Sequence, residues 1–120
     1  MHSQETITMD TNAVPWEERF NEKLSRALYR KVLIQDPDTG MGIQLVRYPA
    51  GVVIPWHTHP CAHGIYVLDG TLVTHQGSYG PGSFVWFPEG AAMRHGATNE
   101  SDVTVLFITN KPLEMCYLSE

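Results

Sequence analysis

The chain is short of the features that would assign it quickly. It has only two cysteines, Cys61 and Cys116, in 120 residues, too few for a disulfide framework or a thiolate metal cluster. A reducing, cytoplasmic setting is the simpler expectation. No apolar run approaches the roughly 18 residues that a membrane span needs. The first thirty residues lack an apolar signal segment and carry Glu5, Asp10, Glu17, Glu18 and Glu22. Basic residues are few, 8 against 13 acidic, giving a net charge of −5. The nearest approach to a basic cluster, Arg19, Lys23, Arg26, Arg30 and Lys31, is interleaved with glutamates. Nucleic acid and anionic membrane are therefore poor partners. There is no internal repeat and no low-complexity segment.

What remains is an ordinary globular composition, 42% hydrophobic and 18% charged, in a length that suits one core. Residues 1 to about 14 are polar and aperiodic, which suggests a loose arm that includes His2. Pro15 suits a helix start, with Asn12 or Ala13 near the cap. Trp16, Phe20, Leu24, Ala27 and Leu28 then recur at helical spacing, predicting a short amphipathic helix over Glu17 to Leu28. Leu28 to Val32 would equally begin a strand. The rest reads as strands: Val32–Ile34, Met41–Tyr48, Val52–Ile54, Ile65–Leu68, Thr71–His75, Ser83–Phe87 and Val103–Thr109. Turn signals separate them, among them Asp36-Pro37-Asp38-Thr39-Gly40, Gly80-Pro81-Gly82 and Asp69-Gly70, the last predicting a hairpin. Short strands at such spacing imply a sandwich or barrel. The expected organisation is an arm with a possible helix over 1–30 and a β-barrel over 31–118.

The chemistry is concentrated in histidines. His57, His59 and His63 fall within seven residues between two strand-like runs, and His95 follows a later one. Imidazole is the commonest protein ligand for first-row metals. Residues two apart on an extended segment point to one side, so His57 and His59 can hold one ion. The fold would bring His63 and His95 onto it. His63 is either the fourth ligand or a group that hydrogen-bonds to substrate or to a ligand ring. Cys61, between His59 and His63, is expected to be a small loop residue, and His75 an exposed one.

The spacing is Gly51, five residues, His57-x-His59, three residues, His63, six residues, Gly70. A second block runs Gly82, five residues, Pro88-x-Gly90, four residues, His95, three residues, Asn99. Together they resemble the two motifs of the cupin superfamily, small jelly-roll β-barrels, over about residues 41 to 109. Two departures stand out. His63 occupies the place of the family's usual ligand glutamate, as in cupins with four-histidine sites. The second block has four residues before His95 where two are usual. Within the superfamily the chain resembles acetylacetone-cleaving and 2,4'-dihydroxyacetophenone dioxygenases, and the cupin domain of certain anti-sigma factors.

The resemblance implies an all-β, single-domain cupin with one divalent ion per chain. Fe is the first choice for an oxygenase, with Mn, Zn or Ni as alternatives, since raw affinity does not select the metal. The leading expectation is a dioxygenase that cleaves a carbon–carbon bond in a small diketone or hydroxyaryl ketone, with dioxygen as co-substrate. A non-redox lyase, isomerase or cyclase using Zn or Mn as Lewis acid is the alternative, and a metal-binding sensor or small-molecule-binding module the third. His63 and Glu89 are the candidate bases. Tyr48, Trp56, Tyr66 and Arg94 are the candidate pocket residues. Apolar strands such as Phe84–Phe87 and Val103–Ile108 in so small a barrel suggest a homodimer.

Overall fold

A computed structural model describes residues 5–118, and His2 lies outside them. Eleven β-strands and one 3-10 helix make up the described regular structure. They are β1 (Glu17–Asn21), β2 (Arg26–Gln35), β3 (Gly42–Tyr48), β4 (Val53–Thr58), β5 (His63–Asp69), β6 (Leu72–Thr74), β7 (Gly77–Tyr79), β8 (Phe84–Phe87), β9 (Met93–Ala97), β10 (Val103–Thr109) and β11 (Cys116–Tyr117). One sheet runs β1-β2-β3-β10-β5-β8 and the other β11-β4-β9-β6-β7, all neighbours antiparallel.

The inward residues follow the period of two that a half-buried strand imposes. In β10, Val103, Val105, Phe107 and Thr109 are buried, and in β5 so are His63, Ile65 and Val67. With Val46, Tyr48, Ile54, Leu72, Phe87, Met93 and Ala97 they fill the space between the sheets. In β8, Phe87 points in, whereas Phe84 and Trp86 face out and are more than half exposed.

The helix expected over Glu17 to Leu28 is a β-hairpin instead. β1 pairs with β2 in the register Glu17↔Arg30 to Asn21↔Arg26. Between them Asn21 Oδ1 accepts from the Leu24 amide, and Ser25 takes a left-handed φ of 53°. The apolar residues recur four apart because they lie on two arms of a hairpin, not on one helical face. Upstream, Asp10 caps a 3-10 helix over Thr11–Ala13 in place of the helix start expected at Pro15. There Lys31 Nζ donates to the Thr11 carbonyl at 2.8 Å and lies over the Trp16 ring, so a lysine is buried with its charge satisfied.

Asp69-Gly70 does not close a hairpin either. β5 belongs to the six-stranded sheet and β6 to the five-stranded one, so the chain changes sheets at this turn. Gly70 has a φ of 81°, and a Cβ there would lie 2.1 Å from the Asp102 carbonyl oxygen. Only glycine fits so close a crossing. The hairpin falls one step later, between β6 and β7.

A candidate metal centre on the five-stranded sheet

Three of the histidines arise from adjacent strands. β4 carries His57 near its end and delivers His59 just beyond it, while β9 carries His95. The two strands pair with Val53 opposite Gly96 and Ile54 opposite His95, then slip register before His57↔Met93. Pro55 sits at that irregularity, where the missing backbone donor costs no ladder bond. The close approach depends on Gly96, since a Cβ there would lie 2.1 Å from the Val52 carbonyl oxygen. His57, His59 and His95 are all buried, each offering one nitrogen within 4.8 Å of the others.

Backbone carbonyls fix two of the rings. His57 Nδ1 lies 2.6 Å from the Pro55 carbonyl oxygen, and His59 Nδ1 lies 2.5 Å from that of Glu114. A carbonyl only accepts, so each Nδ1 carries the proton and each Nε2 keeps a free lone pair. Both Nε2 atoms are buried and have no hydrogen-bond partner, and the same holds for Nδ1 and Nε2 of His95. Such orphaned acceptors are costly to leave unmet. Burial makes the charged form costlier still. It pushes His57 down to about 4, with the neighbouring His59 adding to the effect, and holds His59 below its usual value. His95 is held well below its ordinary value, first by burial and then by the other rings. Three neutral imidazoles with unpaired nitrogens turned toward one another form a donor set for a divalent ion of the first transition row. Two nitrogens about 2.1 Å from one ion lie at most about 4.2 Å apart, so the rings close in slightly when they share one.

His63 comes from the opposite sheet and stands outside this trio. Its ring centroid is 4.9 Å from that of His59 and 6.4 Å from that of His95. Phe87 and Phe107 stack on it at 4.9 and 4.8 Å, and neither ring nitrogen has a partner. Burial, reinforced by His59 and His57, pushes it down to about 3. Cys61 is fully buried and no part of the trio, and burial raises its thiol pKa.

A cavity of about 250 Å3 reaches His59 and His95. Its walls include Tyr48, Ile54 and Phe107 from the core, Arg19, Phe20, Leu28 and Arg30 from the β1–β2 hairpin, and Leu113 and Met115 from the C-terminal segment. Of the residues singled out in the sequence as pocket formers, Tyr48 is in place, with its ring edge-on to His95 at 5.7 Å. Trp56, Tyr66 and Arg94 lie elsewhere because the strand period turns them outward. Trp56 packs on His75 at 5.0 Å with the Arg94 guanidinium over its ring at 5.7 Å, and Tyr66 is exposed beside Phe84. Glu89 is exposed and paired to Lys111 at 2.7 Å, and it does not line the cavity. Arg19 and Phe20 reach the cavity because the segment expected as a helix is a hairpin arm. Taken as a strand, the Leu28-x-Arg30-x-Val32 alternation is the signal for the other arm.

Two antiparallel sheets closing over a histidine cluster define a cupin, and the sequence bears this out. The family profile for the ChrR cupin-like domain matches residues 4–114, and the chain belongs to that family. An RmlC-like cupin from Ralstonia eutropha JMP134 superposes with a TM-score of 0.81 at 24% identity, covering 97% of this chain and 74% of its own. A proposed acetylacetone dioxygenase from Methylibium petroleiphilum PM1 gives 0.81 at 13% identity, covering 99% and 85%. The polyketide cyclase RemF from Streptomyces resistomycificus gives 0.74 at 21%, covering 97% and 89%. At these identities the likeness is one of fold. No curated protein matches the sequence. Among the described residues no helix is long and apolar enough to cross a membrane.

Proposed function

We propose that the protein is a mononuclear metal enzyme acting on a small carbonyl compound, with His57, His59 and His95 holding the ion. The observation that carries this reading is the set of buried, unpartnered imidazole nitrogens converging beside a cavity. At about 250 Å3 the cavity is smaller than the usual ligand pocket of about 300–1,000 Å3, which favours a small molecule. A bound divalent ion would act as a Lewis acid, favouring the enolate or phenolate form of a carbonyl substrate. Neutral ligands would leave its charge undiminished. The chain's own residues supply the rest. Tyr48 and Phe107 keep the chamber largely apolar, and the Pro55 and Glu114 carbonyls hold two rings in the right tautomer. His63 packs beside the His59 ring rather than serving as a resting ligand, in keeping with its place outside the trio.

The reaction this arrangement favours is dioxygenation with carbon–carbon cleavage, in which both oxygen atoms enter the products and no outside reductant is needed. His57, His59 and His95 would hold the ion from one side and leave it open to a small carbonyl substrate from the cavity. Iron would be the metal for that chemistry. Elemental analysis of protein purified without added metal, coupled to oxygen uptake with β-diketones and hydroxyaryl ketones, tests it. Stoichiometric iron with one dioxygen consumed per substrate supports the reading. Zinc with no uptake on any candidate replaces it with Lewis-acid lyase or cyclase chemistry.

The outer face of the six-stranded sheet presents Phe84, Trp86, Tyr66 and Leu68, all exposed. So contiguous an apolar patch is unusual on a monomer, and we propose that a second copy covers it. Phe84→Lys with Trp86→Lys should then shift the mass in solution from dimer to monomer, and a wild-type protein monomeric at micromolar concentration contradicts it.

A further inference from the structure

Arg30 has no role in the metal chemistry, yet it stands at the junction of two cavities. It lines the chamber that reaches His59 and His95, and also a neighbouring cavity of about 150 Å3 bounded by Val32, Ile34, Gln44 and Leu113. Its Nη2 donates to Glu17 Oε1 at 3.3 Å, which anchors the guanidinium from the solvent side. Its Nε is buried and has no hydrogen-bond partner. No acidic side chain lines either cavity. The one other charged wall residue, Arg19, is 58% exposed and bonded to the same glutamate. The Arg30 side chain is 32% exposed, and a guanidinium held at one edge by Glu17, on chamber walls that carry no carboxylate, is a recognition element for an anion.

We propose that Arg30 determines substrate specificity by binding a carboxylate on the substrate, whose carbonyl end sits at the three-histidine centre. The substrate class is thus a small oxo acid rather than a neutral ketone. This rests on the proposed metal site and adds the charge of its ligand. The carboxylate accepts from the guanidinium edge that Glu17 leaves free, while Glu17 keeps Nη2 in place. A hydrogen bond between charged groups corresponds to about 10- to 100-fold in affinity.

The test is ligand binding to protein loaded with cobalt(II), read by the metal's visible absorption and requiring no turnover. The probes are 4,6-dioxoheptanoate and its amide, equal in shape and differing in charge. Wild-type protein should bind the acid about 10- to 100-fold more tightly than the amide. Arg30→Gln should abolish the preference, Arg30→Lys should keep part of it, and Arg19→Gln should keep most of it. Equal binding of acid and amide by the wild type, which needs no variant to fold, overturns the proposal, as does a preference that survives in Arg30→Gln. Cobalt at full stoichiometry in either case confines the failure to the arginine. Cobalt that does not bind removes the metal centre itself, and this inference with it.

Discussion

The buried histidines make the metal-free protein sensitive to mild acid, by an amount that can be worked out. In the unfolded chain an imidazole titrates near 6.5. In the folded chain His57 titrates at about 4 and His63 at about 3, and burial holds His95 well below its ordinary value. Above 6.5 the rings are neutral in both states, and the full stability is present. As pH falls below 6.5 only the unfolded chain gains protons, so stability is lost until the folded values are reached. Between about pH 7.5 and pH 5.5 each such ring costs about 1.3 kcal/mol. The three together cost about 3 to 4 kcal/mol, with partial solvent screening placing the value toward the lower end. For a chain of this size that lowers Tm by about 10 to 15 °C. Glu17, the one carboxylate with a lowered pKa, titrates below this window. Thermal melts followed by circular dichroism in excess chelator at the two pH values measure the effect. A Tm that moves by less than about 3 °C would show that the rings are not kept neutral by burial, and the description of the centre would be wrong.

Three further outcomes follow from the same geometry. Gly96→Ala should destabilise the protein by about 2 to 3 kcal/mol in urea unfolding and weaken metal retention, because its Cβ would push β9 away from the Val52 carbonyl. A chain ending at Pro112 loses the Glu114 carbonyl and the pairing of β11 with His57 and Thr58, and its zinc affinity in a competition titration should fall about 10- to 100-fold. Phe107→Ala removes one of the two rings stacked on His63 and should cost about 3 to 5 kcal/mol of unfolding free energy, whether or not metal is bound.

Seven of the eleven strands, and the histidine cluster, were legible in the sequence because both are local properties, whereas β1, β7, β9 and β11 were not. Alternation in Val103–Thr109 announces a strand wherever it pairs, and His57-x-His59 share a side of any extended segment. Long-range choices were not legible. Asp69-Gly70 is chemically a turn in either case, and only the tight passage past Asp102 shows that the strands flanking it join different sheets. The helical spacing of Trp16, Phe20, Leu24 and Leu28 arises from folding a hairpin back on itself, and reading it as a helix hid Arg19 and Phe20 from the cavity. The carbonyls that fix the ring tautomers are likewise silent, since every residue has one. Pro55 lies two places from the ring that it orients, whereas Glu114 reaches His59 from far along the chain.

The central claim is that three imidazoles from neighbouring strands share one ion, and metal content measured alongside fold tests it most directly. Wild-type protein dialysed against limiting iron, cobalt or zinc should retain one ion per chain. His57→Ala, His59→Ala and His95→Ala should each lose it while keeping the β-sheet circular dichroism spectrum, and His63→Ala should retain it. Full occupancy in His95→Ala, or a wild type that retains no divalent ion, would contradict the account.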